Sequence, residues 1–197
     1  MREVELKGVV ADPAALRARL LAAGAREVFR GSLSDSRYDL PSRELLAKDH
    51  VLRLRVQEDA TGRHAALDWK GPTHYDSGYK VREEISTPCG DGAAMAELLE
   101  RMGFVVIREI DRDIEHYEVQ GAGCRVERYP RMDTLLEVEG APEAIEAAIA
   151  LTGIARAEFT SERLPAFVLR YEARTGERAA ICRRELTGDY RYSTFDA

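Results

Sequence analysis

Two periods of apolar and polar residues interleave along the chain, one of about two residues and one of about 3.6, the repeats of strand and helix. Alternation with period two predicts strands over residues 2–10, 33–40, 50–58, 63–71 and 79–87, then 104–118 with a bend or bulge, 122–128 and 134–140. Four helical segments accompany them. Asp12-Pro13 pairs a capping residue with a proline at the first helical position, opening a helix that runs to about Ala23 and stops at Gly24. Asp91 opens a second, with Met95, Leu98, Leu99 and Met102 as its apolar stripe and Gly103 as its stop. Gly140 and Pro142 lead into a third, 142–151, and Ser161 is the expected cap of a fourth over 161–174. About eight short strands with helices at a few places describe an α+β chain built on an antiparallel sheet or barrel. The expected division is a folded domain over 1–174 and an Arg/Tyr-rich C-terminal appendage over 175–197, read as a solvated tail or an oligomer contact.

The charged residues of the strands lie on single faces, because strand side chains repeat every two residues. Glu3, Glu5 and Lys7 share one face, with Val4 and Leu6 on the other; Arg53 and Arg55 oppose Leu52, Leu54 and Val56. Lys80, Arg82 and Glu84 align, as do Arg125 with Glu127 and Glu137 with Glu139, and Lys70 ends the stretch ALDWK. One reading is a half-buried sheet with a solvated outer face. Against it, carboxylates dominate the first and last strands and bases the middle ones, and apolar helices are available to cover the opposite faces. If those helices pack outside a closed barrel, the charges point inward, where they need pairing or a ligand. Carboxylate oxygens suit Mg²⁺ or Mn²⁺ and a ring of bases suits a polyphosphate, so together they describe a metal–triphosphate site.

Composition narrows the alternatives. The 197 residues include 29 Lys+Arg and 35 Asp+Glu, a formal net charge of −6, which speaks against a general nucleic-acid binder. The chain is 45% hydrophobic, so a packed core is expected. No apolar run approaches the roughly 18–20 residues of a membrane span, and MREVELKG lacks the pattern of a signal peptide. Cys89, Cys124 and Cys182 form no metal-binding pair and fit a reducing compartment; a cytoplasmic protein is expected. His50, His64, His74 and His116 lack metal-ligand spacing and are read as surface or loop residues. Asp35 and Tyr38 have two readings, approach to a substrate base or turn and strand packing, of which packing is preferred; Trp69 could stack a base, but its parity, opposite to that of Lys70, favours outer packing.

Five motifs in order resemble the CYTH superfamily of class IV adenylyl cyclases and thiamine triphosphatases, the triphosphate tunnel metalloenzymes. They are Glu-x-Glu-x-Lys at Glu3, Glu5 and Lys7; SDSRYDLPSRELLAKDHVLRLR at 34–55; DWKGP at 68–72; YKVREEIS at 79–86; and LLEVEG at 135–140. The resemblance covers about residues 1–140, and more loosely the helices to 174. It implies an eight-stranded antiparallel β-barrel with helices packed outside, enclosing a tunnel. Glu3, Glu5, Glu127, Glu137 and Glu139 are then the metal-side carboxylates for Mg²⁺ or Mn²⁺. Lys7, Arg53, Arg55, Lys70, Arg82 and Arg112 are the triphosphate contacts, and Glu3, Glu5, Lys7, Glu137 and Glu139 form the catalytic group. After Gly103-Phe104 the family shows two bases two apart, where this chain has Arg112 followed by Ile114, with Arg108 an alternative register. The implied activity is cyclisation of ATP to cyclic AMP and pyrophosphate. A triphosphatase for thiamine triphosphate or inorganic triphosphate is the second reading, and a non-catalytic nucleotide or polyphosphate module the third. The expected partner is the triphosphate, with no nucleic acid and no membrane; a homodimer is left open.

Overall fold

The computed structural model describes residues 2–188 and residue 190. Among these residues nine strands form: β1 (Arg2–Val9), β2 (Arg26–Asp39), β3 (Val51–Asp59), β4 (Gly62–Lys70), β5 (His74–Asp76), β6 (Tyr79–Cys89), β7 (Val105–Val119), β8 (Ala122–Arg128) and β9 (Leu135–Glu139). The helices are α1 (Pro13–Ala22), α2 (Glu44–Ala47), α3 (Gly92–Arg101), α4 (Pro142–Thr152), α5 (Leu164–Thr175) and α6 (Arg183–Thr187), with a 3₁₀ turn at Arg156–Glu158. All strand pairings are antiparallel, in the order β1-β9-β8-β7-β2-β3-β4-β6, and β6 returns to β1. Eight strands therefore close into a barrel, and short β5 adds to β6. Closure removes the free edges of the sheet. The expected α+β barrel with outer helices is the observed one.

The helices cover the apolar strand faces. Leu6, Val126, Leu136 and Val138 pack with Leu16 and Leu20 of α1 and Ile145 and Ile149 of α4, all under 4% exposed. Leu54 and Tyr38 pack with Leu99 of α3, so the face opposite Arg53 and Arg55 is the outer one. Burying these side chains contributes roughly 1.5–3 kcal/mol each before entropy is counted. The two Glu-x-Glu strands are neighbours, Glu5 facing Glu139 and Lys7 facing Glu137 across the β1–β9 ladder.

The Asp12 carboxylate accepts from the Ala15 N–H and the Asp91 carboxylate from those of Ala93 and Ala94, so both expected caps form. Ser161 does not cap the next helix. The chain is still extended at Thr160, whose N–H and carbonyl both bond Lys7 at 2.8 Å, and α5 starts only at Leu164. The expected bend in 104–118 is a bulge: the β2–β7 register slips between Arg37 and Tyr38, which face Arg108 and Val106. β8 begins to pair with β7 only at Asp113, so the edge over 105–112 lies open. The segment after α5 fills it. The Asp111 N–H bonds the Ile181 carbonyl at 2.8 Å, Arg131 bridges Ala180, and Ala180, Ile181 and Cys182 are buried. Of the expected tail, Arg184 stacks on Tyr190 at 4.5 Å; Tyr192 lies outside the described residues. Among the described residues no helix is long and apolar enough to cross a membrane.

Candidate active site

Inward positions of the strands line one cavity of about 1250 Å³. Every residue expected in the site lines it: Glu3, Glu5, Lys7, Arg53, Arg55, Lys70, Arg82, Arg112, Glu127, Glu137 and Glu139. The register explains the convergence. Arg82 and Lys80 face Glu3 and Glu5, Lys70 faces Glu84, and Arg55 faces Asp35, so charges on adjacent strands fall side by side. The solvated-face reading fails for these strands, because Glu5, Lys7, Arg53, Arg82, Arg112, Glu127 and Glu137 are all buried. Among the described residues, eleven Lys and Arg against nine Asp and Glu line the cavity, an excess of cations inside a chain of net charge −6. Its field thus favours an anion.

The charges pair with one another. Lys7 lies 2.7 Å from Glu5 and 2.5 Å from Glu137, while Lys80 also bonds Glu5. Arg125 bonds Glu137 at 2.7 Å. Lys70 bonds Glu3 at 2.7 Å, and Arg53 bonds Asp68 at 2.6 Å and Glu84 at 3.2 Å. Arg112 bonds Glu127 at 2.8 Å and reaches Asp35; Glu127 also accepts the Tyr129 hydroxyl at 2.6 Å. Arg55 grips Asp35 with two bonds, at 2.8 and 2.9 Å. Burial acts against the Asp35 carboxylate, yet Arg55, Arg53 and Arg112 together hold its pKa well below the usual range. Burial likewise acts against the Glu137 carboxylate, yet Lys7 and Arg125 hold its pKa well below the usual range.

Glu3, Glu137 and Glu139 bring carboxylate oxygens within 4.8 Å of one another. Burial, and then the crowding of Glu137, Glu3 and Glu5, raises the Glu139 pKa despite Arg125. A set of hard oxygen donors with mutual repulsion fits Mg²⁺ or Mn²⁺. Of the five expected metal-side carboxylates, these three come together. Glu5 is engaged by two lysines, and Glu127 by Arg112 and Tyr129.

Arg112 points into the cavity, whereas Arg108 bonds Glu185 of α6 at 3.0 Å. Ile114, where a second base was expected after Arg112, is buried, and Ile110, two residues before Arg112, lines the cavity as an apolar side chain. Trp69 meets His50 edge-on at 5.2 Å between centroids. Several lining residues escaped the expected set. Lys80 and Arg125 carry the right parity, and Arg37 follows Asp35 by two on the inner face of β2; burial, then Arg53 beside it, brings the pKa of the Arg37 guanidinium down to about 9. Asp35 lies in the cavity wall, contrary to its reading as a packing residue. His116 also lines the cavity: its Nε2 would lie 2.9 Å from a Cβ at Gly123, so a larger residue there would push the imidazole aside.

A closed antiparallel barrel with a charged interior, acidic on one wall and basic on the others, defines a tunnel protein suited to an anion and a divalent cation. The CYTH domain family model matches residues 1–154, and the chain belongs to the CYTH domain family, whose members typically act on triphosphates with a divalent metal. Solved structures agree on the fold. A protein from Pyrococcus horikoshii is 25% identical, with a TM-score of 0.70 over 85% of this chain and 98% of its own. A candidate adenylate cyclase from Vibrio parahaemolyticus is 20% identical, with a TM-score of 0.73 over 85% of this chain and 97% of its own. A candidate adenylyl cyclase from Hippeastrum, described as having a dominant triphosphatase activity, is 17% identical with a TM-score of 0.55 over 79% and 92%. No curated protein matches the chain significantly.

Proposed function

We propose that this chain is a metal-dependent enzyme acting on a nucleoside triphosphate, cyclising ATP to cyclic AMP and pyrophosphate. The observation that carries the reading is one cavity with a three-carboxylate cluster on one wall and buried arginines and lysines on the others. Glu3, Glu137 and Glu139 would hold the cation, which supplies neutralisation of the phosphates and acidifies the attacking hydroxyl. Lys7, Arg53, Arg55, Lys70, Arg82 and Arg112 would hold phosphate oxygens through charge-assisted hydrogen bonds. Their ion pairs keep the guanidinium and ammonium groups aimed inward before the substrate arrives, so little reorganisation is needed during reaction. The ribose 3′-oxygen then forms its bond to the α-phosphorus as the bond to pyrophosphate breaks. A cavity of about 1250 Å³ has room for a nucleoside besides three phosphates.

One observation favours a second reading, hydrolysis of a triphosphate. Ile114 in place of a base leaves one expected phosphate contact unmade, which weakens the grip that would select the α-phosphorus for attack. Incubation with ATP, thiamine triphosphate and inorganic triphosphate under Mg²⁺ or Mn²⁺, with product separation, tests both. Cyclic AMP with pyrophosphate is the expected result, and release of orthophosphate alone would establish the second reading instead. Binding without turnover would make the chain a polyphosphate-binding module, and no binding of any triphosphate would overturn the proposal.

A further inference from the structure

The family match ends at residue 154, yet the next segment reaches the cavity. β1 pairs with β6 only through Glu5, which leaves the Lys7 backbone open on that side. Thr160 fills the gap with two 2.8 Å hydrogen bonds to Lys7. That bridge fixes the chain, and three residues later it delivers Arg163 to the cavity wall, where Leu164 begins α5. The Arg163 guanidinium donates to the Asp49 carboxylate at 2.8 Å and keeps a side-chain exposure of 43%.

Arg82 converges on the same spot. It donates to the carbonyls of Gly71 at 2.7 Å and Asp49 at 2.6 Å, and lies 3.9 Å from the Asp49 carboxylate. Two guanidinium groups thus share one carboxylate, and the cluster is net positive. Burial, with Arg163 opposing the help of Asp49, lowers the Arg82 pKa. Asp49 is fixed in place by its own backbone, which is left-handed at φ 54°, and by the Thr73 N–H, which donates to its carboxylate at 2.7 Å. That carboxylate occupies donors that a phosphate oxygen would use, and Arg163 retains further N–H groups.

Building on the triphosphate reading, we infer that Arg163 is a further phosphate-recognition residue, which together with Arg82 forms an anion subsite that Asp49 occupies until a phosphate displaces it. The test is calorimetric titration of the full chain with metal-free inorganic triphosphate at several salt concentrations. Arg163→Gln is expected to weaken binding about tenfold and to flatten the salt dependence, while Arg163→Lys recovers most of the loss. Asp49→Asn, which tolerates the left-handed backbone, is expected to tighten binding because the competing charge is gone. Wild-type affinity and salt slope in Arg163→Gln would overturn the inference, as would weakened binding in Asp49→Asn. Should Arg163→Gln not fold, Arg163→Lys and Asp49→Asn decide: tighter binding in the second sustains the inference and weaker binding ends it. If the wild-type chain binds no triphosphate, the underlying reading fails with it; if it binds and only the variants disagree, this inference alone is lost.

Discussion

Asp35 offers the sharpest test of the charged interior. It is 2% exposed, doubly bonded to Arg55, bonded to Arg112, and 3.5 Å from Arg53. Asp35→Asn keeps the shape and removes the one anion those three arginines share. Breaking a buried ion pair costs on the order of 3–5 kcal/mol, because the partner charge stays buried and uncompensated. For a domain of this size that lowers the melting temperature by roughly 10 °C. The sign with pH follows from the depressed Asp35 pKa. Its stabilisation is present above the unfolded value of about 3.9 and is lost as pH falls through the folded value, so wild type and variant converge in acid. Inorganic triphosphate supplies the missing negative charge and should raise the variant's melting temperature more than the wild type's. Thermal unfolding at pH 7, with and without triphosphate, measures both effects. A variant melting within about 2 °C of wild type would refute this account of Asp35, as would a smaller ligand shift in the variant.

The carboxylate cluster predicts that Glu139→Gln and Glu137→Gln each weaken Mn²⁺ binding by about tenfold or more in titration calorimetry, while the barrel still melts cooperatively. Arg53→Ala and Arg55→Ala should lower triphosphate affinity by a factor of tens, since each leaves about 2–5 kcal/mol of charge pairing unmade. Leu54→Ala, on the outer face beneath α3, should instead destabilise by about 2–5 kcal/mol and leave triphosphate affinity unchanged, as read by denaturant unfolding and titration. Triphosphate and Mn²⁺ together should raise the melting temperature more than either alone; no shift at saturation would count against the tunnel site.

Strand positions and faces were legible because closure of the barrel keeps a strict inside and outside, and the period-two pattern records it. What the pattern lacks is the third dimension. The pattern puts Asp35 on a strand, and only the β2–β3 register places it against Arg55. Helix α2 has no cap beside it; the Asp39 carboxylate, five residues upstream, accepts the N–H groups of Leu40, Leu45 and Leu46. Arg108 and Arg112 share parity in sequence, and the Glu185 carboxylate that engages Arg108 comes from 77 residues away. The buried residues 180–182 answer an opening in β7 that exists only because β8 starts to pair at Asp113. Local rules see none of these partners.

Asp35 and Glu139, shifted in opposite directions, mark opposite poles of the cavity. Asp35 is held ionised by three arginines, two of which it shares with other carboxylates: Arg53 with Asp68 and Glu84, and Arg112 with Glu127. Glu139 is pushed toward protonation by burial and by other carboxylates, so its region holds more negative charge than Arg125 offsets. Buried charge at either pole is unfavourable unless it is paired, and the outer apolar clusters sustain it. A polyanion suits the first pole and a divalent cation the second. The poles lie on different strands, β2 and β3 against β1 and β9, so on the proposed reading a metal–triphosphate would meet them with its phosphates at one and its metal at the other, in one orientation rather than the reverse.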